Sequence, residues 1–162
     1  MLVKVKKQDL TSTTISQSCF QPLIDIYKSR AAEETNLSIE QMKEQFYEEL
    51  TQGQSALFMF YVYANHVSKS VIEFYWWNAY FMAQPKSWLA LKATFKYFHD
   101  EPFLLLLEKI EEILKQHNHP STLENFSITR DGLSQNTELQ ASIASLYEEF
   151  YNIYPITIEA IN

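Results

Sequence analysis

Every residue from Ala56 to Ala64 is apolar or aromatic, in the run ALFMFYVYA. A helix packed on one side shows an apolar stripe, whereas a helix apolar all round has to be surrounded by other elements. The run therefore predicts a helix buried on nearly all sides. A second dense stretch follows, with Phe74, Tyr75, Trp76, Trp77, Tyr80 and Phe81 close together. Neither stretch reaches the ~20 apolar residues of a membrane span. Thr51 to Ser55 are polar, and Lys69 and Glu73 interrupt the pair with His66 nearby. No membrane association is expected.

Helical spacing continues on both sides. Pro22 is suited to a first helical turn because it has no N–H to lose, and Leu23, Ile26, Tyr27 and Ala31 follow on one face. Ser38 with Gln41 three residues on forms a capping box. The stripe Ile39, Met42, Phe46 and Leu50 then leaves Glu40, Glu44 and Glu48 on the other side. Gly53 and a polar break around Asn65, His66 and Ser68 bracket the apolar run. Pro85 opens a helix with Trp88, Leu91, Phe95 and Phe98 a turn apart, and Asp100 caps another through Phe103, Leu107, Ile110 and Leu114. Residues 117–137 read as a polar connection. Leu139, Ile143, Leu146, Phe150 and Ile153 mark a last helix, which Pro155 should end. Two short alternating stretches, Leu2 to Val5 and Ile156 to Glu159, suggest strands that pair with each other. Only 2 glycines occur, Gly53 and Gly132, which disfavours glycine-dependent turns and phosphate loops. The expectation is all-α: one helical domain over 1–162, a bundle of about six to seven helices with an N-terminal arm over 1–19 and a candidate terminal strand pair.

The net charge of −7 is concentrated in residues 31–60 and 101–162. No basic stripe is available for a phosphate backbone, so direct nucleic-acid binding is not expected. An acidic surface suits solubility and a basic partner. Cys19 is the single cysteine and has no partner for an internal disulfide. That fits a reducing, cytoplasmic setting. Lys4, Lys6 and Lys7 are followed by polar residues rather than an apolar stretch, so no cleaved signal is read.

Catalytic and metal-binding signatures are missing from the pattern. His117 and His119 lie two apart, so on a helix they point about 200° from one another. Cys19 has no reactive signature around it. Adjacent acids such as Glu111-Glu112 and Glu148-Glu149 diverge by about 100° on a helix and read as solvated faces. No catalytic residue, metal or cofactor is assigned. Glu73 differs, as the lone acid among aromatics, with Lys69 one turn before it.

From Leu50 to Leu114 the order of elements (Asn65, the segment Phe74-Tyr75-Trp76-Trp77-Asn78, then the Trp88–Phe98 and Phe103–Leu114 helices) resembles a mostly uncharacterised family of small helical proteins that includes a bacterial DNA-mimic protein. Where that family carries Gly-Gly, this chain has Lys69-Ser70 or Ser70-Val71. The resemblance implies an all-α fold and dimerisation in some members. It implies no functional residue here.

Three functional readings follow. The first is a non-catalytic acidic interaction protein of inhibitor, immunity or DNA-mimic type, meeting a basic or DNA-binding protein partner through Glu40, Glu44, Glu48 and glutamates of the last two helices. The second is a small-molecule site or enzyme among the aromatic helices, with His66, Glu73 and Asn78 as converging polar groups. The third is a homodimer formed through Trp76, Trp77 and Tyr80, types that dominate interface hot spots.

Overall fold

The computed structural model describes residues 1–5, 15–33 and 36–162. Among these residues there are seven α-helices: α1 (Ile15–Glu33), α2 (Ile39–Glu48), α3 (Gln52–Val67), α4 (Val71–Met82), α5 (Pro85–Tyr97), α6 (Glu101–Gln116) and α7 (Thr137–Ile161). Two 3-10 turns, Leu123–Asn125 and Arg130–Gln135, interrupt the connection between α6 and α7. The fold is all-α, and no described helix is long and apolar enough to cross a membrane.

α3 is the central helix. Phe58, Phe60, Tyr61, Tyr63, Ala64 and Val67 are all buried, because α1, α4 and α5 pack around it. α6 and α7 pair with each other and close the far side. The core between them is largely made of rings. Phe95 and Phe103 stack with centroids 3.9 Å apart and planes 8° from parallel. Phe150 meets Phe103 edge-on at 5.9 Å, and Phe60 meets both Phe95 and Phe103.

The helix ends explain how a chain with two glycines turns so often. Ser38 and Gln41 form the expected capping box, the Gln41 N–H donating to Ser38 Oγ at 3.2 Å and the Ser38 N–H to Gln41 Oε1 at 2.9 Å. Thr51 and Gln54 repeat the device at α3, and Asp100 caps α6 through the Phe103 N–H at 3.0 Å. α5 and α6 each end in a left-handed residue, His99 (φ 56°) and Asn118 (φ 58°). In both, the next N–H reaches back to a buried turn: Asp100 to Phe95 O at 2.9 Å and His119 to Leu114 O at 2.9 Å. This is the closing geometry usually given to glycine, adopted here by residues that carry side chains.

Three expectations about the ends are corrected. α1 starts at Ile15 rather than Pro22, so the supposed arm overlaps a helix and Pro22 lies inside it. Residues 15–21 have a reason to be helical: Ser16 is buried, its hydroxyl meets the Tyr61 hydroxyl at 2.6 Å, and its N–H and hydroxyl both donate to Asn162 Oδ1. α7 continues through Pro155 to Ile161. Proline forfeits one helical bond, but Thr157 just beyond it is buried and donates to Asp100 and to Ile153 O. Tyr154, Ile158 and Ile161 also pack on the core. Ile156 to Glu159 are therefore helical, Leu2 to Val5 form no strand, and the terminal strand pair does not exist. Residues 6–14 of the expected arm lie outside the described part of the chain.

Candidate functional site

α2 turns Met42 and Phe46 into the core. The same turn leaves Glu40, Glu44 and Glu48 along the wall of an open groove of about 910 Å³. The start of α5 forms the opposite wall, with Pro85, Lys86 and Ala90, and Leu123 from the connection stands at one end. Tyr47 and Met59 make the floor, joined by a bond from the Tyr47 hydroxyl to Met59 Sδ at 3.5 Å. Burial, reinforced by the neighbouring Tyr27, pushes the Tyr47 phenol up, so it stays protonated. One ion pair crosses the groove: Lys86 Nζ lies 3.0 Å from Glu44 Oε1, with both side chains largely in water. Among the described residues neither Glu40 nor Glu48 has a cationic partner.

The acids of α6 and α7 are arranged differently. Glu111 accepts hydrogen bonds from Trp88 Nε1 at 3.0 Å, from Lys115 at 2.5 Å and from Lys92. Burial opposes its ionisation, but the bonds from Lys115, Lys92 and Trp88 win and hold its carboxyl down at about 2. Glu149 is taken by Lys109 at 2.8 Å. These two acids tie helices together in half-buried pairs, whereas the α2 acids face water and only Glu44 among them reaches another described helix.

Trp76, Trp77 and Tyr80 are half-buried. Trp76 stacks on Tyr80 at 5.1 Å and 10°, Phe126 meets both edge-on, and Arg130 sits over the Trp76 ring at 4.2 Å. The Trp76 indole donates to Ile128 O at 3.0 Å. The Trp77 indole donates to Glu73 at 2.9 Å, and its ring stacks on His66 at 3.7 Å. Both indole N–H groups are thus engaged within the chain, and much of the patch serves as the seat of the 117–137 connection.

The three candidate pocket groups divide. His66 and Glu73 meet around Trp77. Asn78 points the other way, fully buried, accepting from the Tyr63 hydroxyl at 2.9 Å and donating to Phe74 O at 2.8 Å. Glu73 has Arg130 as its ion-pair partner, through two hydrogen bonds, rather than Lys69. Those bonds hold Glu73 below the usual carboxylate range. Burial and Lys69 draw His66 down against a smaller pull from Glu73, and its Nδ1 is buried without a hydrogen-bond partner. His117 and His119 face separate neighbours, Asn136 and Tyr75. Among the described residues no three His, Cys, Asp or Glu side chains are grouped to hold a metal ion.

Sequence reasoning missed the clasp of the connection on α4. Its signal was present: Phe126, Ile128 and Arg130 are among the few apolar and cationic residues in a polar segment. The chain matches no protein-family model, no curated protein and no solved structure.

Proposed function

We propose that this chain is a non-catalytic interaction protein of inhibitor or immunity type whose α2 wall binds a basic protein partner. The observation that carries this reading is the disposition of Glu40, Glu44 and Glu48. All three line one groove together with Lys43, and among the described residues only Glu44 forms an ion pair, with the exposed Lys86. Exposed acids of this kind add little to the fold, but they steer and hold a partner of opposite charge. The resemblance to a DNA-mimic family makes DNA-binding proteins one natural class of basic partner. The lone Cys19 suits a cytoplasmic site of action.

The test is capture by the wild-type chain and by a Glu40→Gln, Glu44→Gln, Glu48→Gln variant, from lysate at low and at high salt. A stoichiometric basic protein held by the wild type, released by salt and not held by the variant supports the reading. Equal retention by both proteins would refute it. The groups His66, Glu73 and Asn78 do not converge on one cavity, which removes the main support for a small-molecule site at the aromatic helices. Dimerisation through Trp76, Trp77 and Tyr80 has lost its two indole donors to partners within the chain.

A further inference from the structure

The groove already contains one answer to the question of what fills it. Lys86 comes from the first turn of α5, at the opposite wall, and its ammonium rests on Glu44 although 93 % of its side chain is exposed. A pair this open is worth little to the fold. It does mark a place where the α2 wall accepts a cation. Glu40 and Glu48 lie one turn to either side, and their carboxylates are unmatched among the described residues. Beneath them the floor of Tyr47 and Met59 is apolar apart from a phenol already bonded to sulfur. The exposed Leu123 adds apolar surface at one end. Lys43 also lines the α2 wall, so the groove holds three carboxylates against Lys43 and Lys86 above an apolar floor, and a segment with cationic side chains about 6 Å apart beside an apolar one is complementary to the carboxylates and the floor.

We propose that Lys86 is a resident stand-in for the partner's cation, and that the groove receives a basic amphipathic peptide segment which takes Glu44 from Lys86 and lays an apolar side chain on Tyr47 and Met59. The proposal rests on the α2 wall being the binding surface. Lys86 then acts as a built-in competitor: it lowers affinity for weakly basic segments, which selects for partners that match several carboxylates at once.

The probe is a fluorescein-labelled 14-residue Leu/Lys amphipathic peptide, read by anisotropy at about 0.15 M salt, where the screening length is about 8 Å. A Lys/Ser peptide of equal charge and a Leu/Glu peptide serve as comparisons. The wild type should bind the Leu/Lys peptide best and the Leu/Glu peptide not at all. Lys86→Ala should tighten binding by roughly two- to fivefold, the range an exposed ion pair can supply, and Lys86→Glu should tighten it further. Lys96→Ala removes the same charge from the far end of α5 and should leave affinity within about 1.5-fold, because charges separated beyond a screening length contribute little. Glu44→Gln should weaken binding and abolish the effect of Lys86→Ala. If the Lys86 variants bind no tighter while the triple glutamine variant still binds weakly, Lys86 is only a brace and the proposal falls, leaving the α2 wall in place. If Lys96→Ala tightens binding equally, net charge is the cause and the proposal also falls. Binding indifferent to the triple glutamine change overturns both this inference and the proposed function.

Discussion

Glu111 offers a direct measure of how much a charged hub contributes to this fold. It receives Trp88 and Lys92 from α5 and Lys115 from its own helix, and its side chain is 18 % exposed. Lowering a carboxyl from 4.5 to about 2 corresponds to about 3 kcal/mol, at ~1.4 kcal/mol for each tenfold change in proton affinity. Lys115 is open to solvent and its share is screened, so about 2 kcal/mol is the better expectation for Glu111→Gln near neutral pH. Glutamine keeps the shape and an acceptor for the Trp88 indole, which isolates the charge. Because the folded carboxyl is the stronger acid, this stability is fully present above 4.5 and is lost as pH falls from there toward 2. At about pH 3 more than half of the difference between wild type and Glu111→Gln should have gone. Urea unfolding followed by tryptophan emission, at both pH values, measures it. A difference below about 0.5 kcal/mol at neutral pH, or one that does not shrink on acidification, would show that the hub is ordinary surface charge.

Asn78→Ala should cost about 3 kcal/mol in urea midpoint experiments, because it strands the buried Tyr63 hydroxyl and opens a small cavity; a loss under 1 kcal/mol would mean that Tyr63 finds another acceptor. His66 and His119 are both drawn below the ordinary 6.5 chiefly by burial, so the unfolded chain takes up protons before the folded one does. Stability should hold steady above about pH 6.5 and decline below it, with His66→Gln flattening part of that decline; a wild-type urea midpoint unchanged between about pH 7.5 and pH 5.5 would contradict the burial of these rings.

The parts of the fold legible in the sequence are those where local chemistry and tertiary need agree. Ala56 to Ala64 could only be central, and Ser38, Pro85 and Asp100 start helices as their cap chemistry dictates. The misread ends are places where tertiary contacts override a local signal. Pro22 and Pro155 each remove one hydrogen bond, yet Ser16 anchored on Tyr61 and Asn162, and Thr157 anchored on Asp100, carry the helices past them. The β-branched alternation of Ile156 to Glu159 lost to the same anchoring. At the site, the period of α2 was enough to put Glu40, Glu44 and Glu48 on one face. That Lys86, from a helix 42 positions away, would reach them depends on how α5 docks against α3, which no local pattern encodes. Asn78 illustrates the opposite failure. Its neighbours placed it among aromatics, but a helix turns it 100° from Trp77, which carried it into the core while Trp77 stayed at the edge.

Phe95 and Phe103 lie face to face without solvent access, with Phe60 and Phe150 closing their edges. A phenyl ring held this way cannot turn over in place, because turning sweeps a volume that a close-packed interior does not leave empty. For either ring to flip, α3, α5, α6 and α7 must draw apart together for a moment. The ring flips of this pair therefore time the joint breathing of these four helices, and a core of interlocked plates opens collectively where one of aliphatic chains could loosen methyl by methyl.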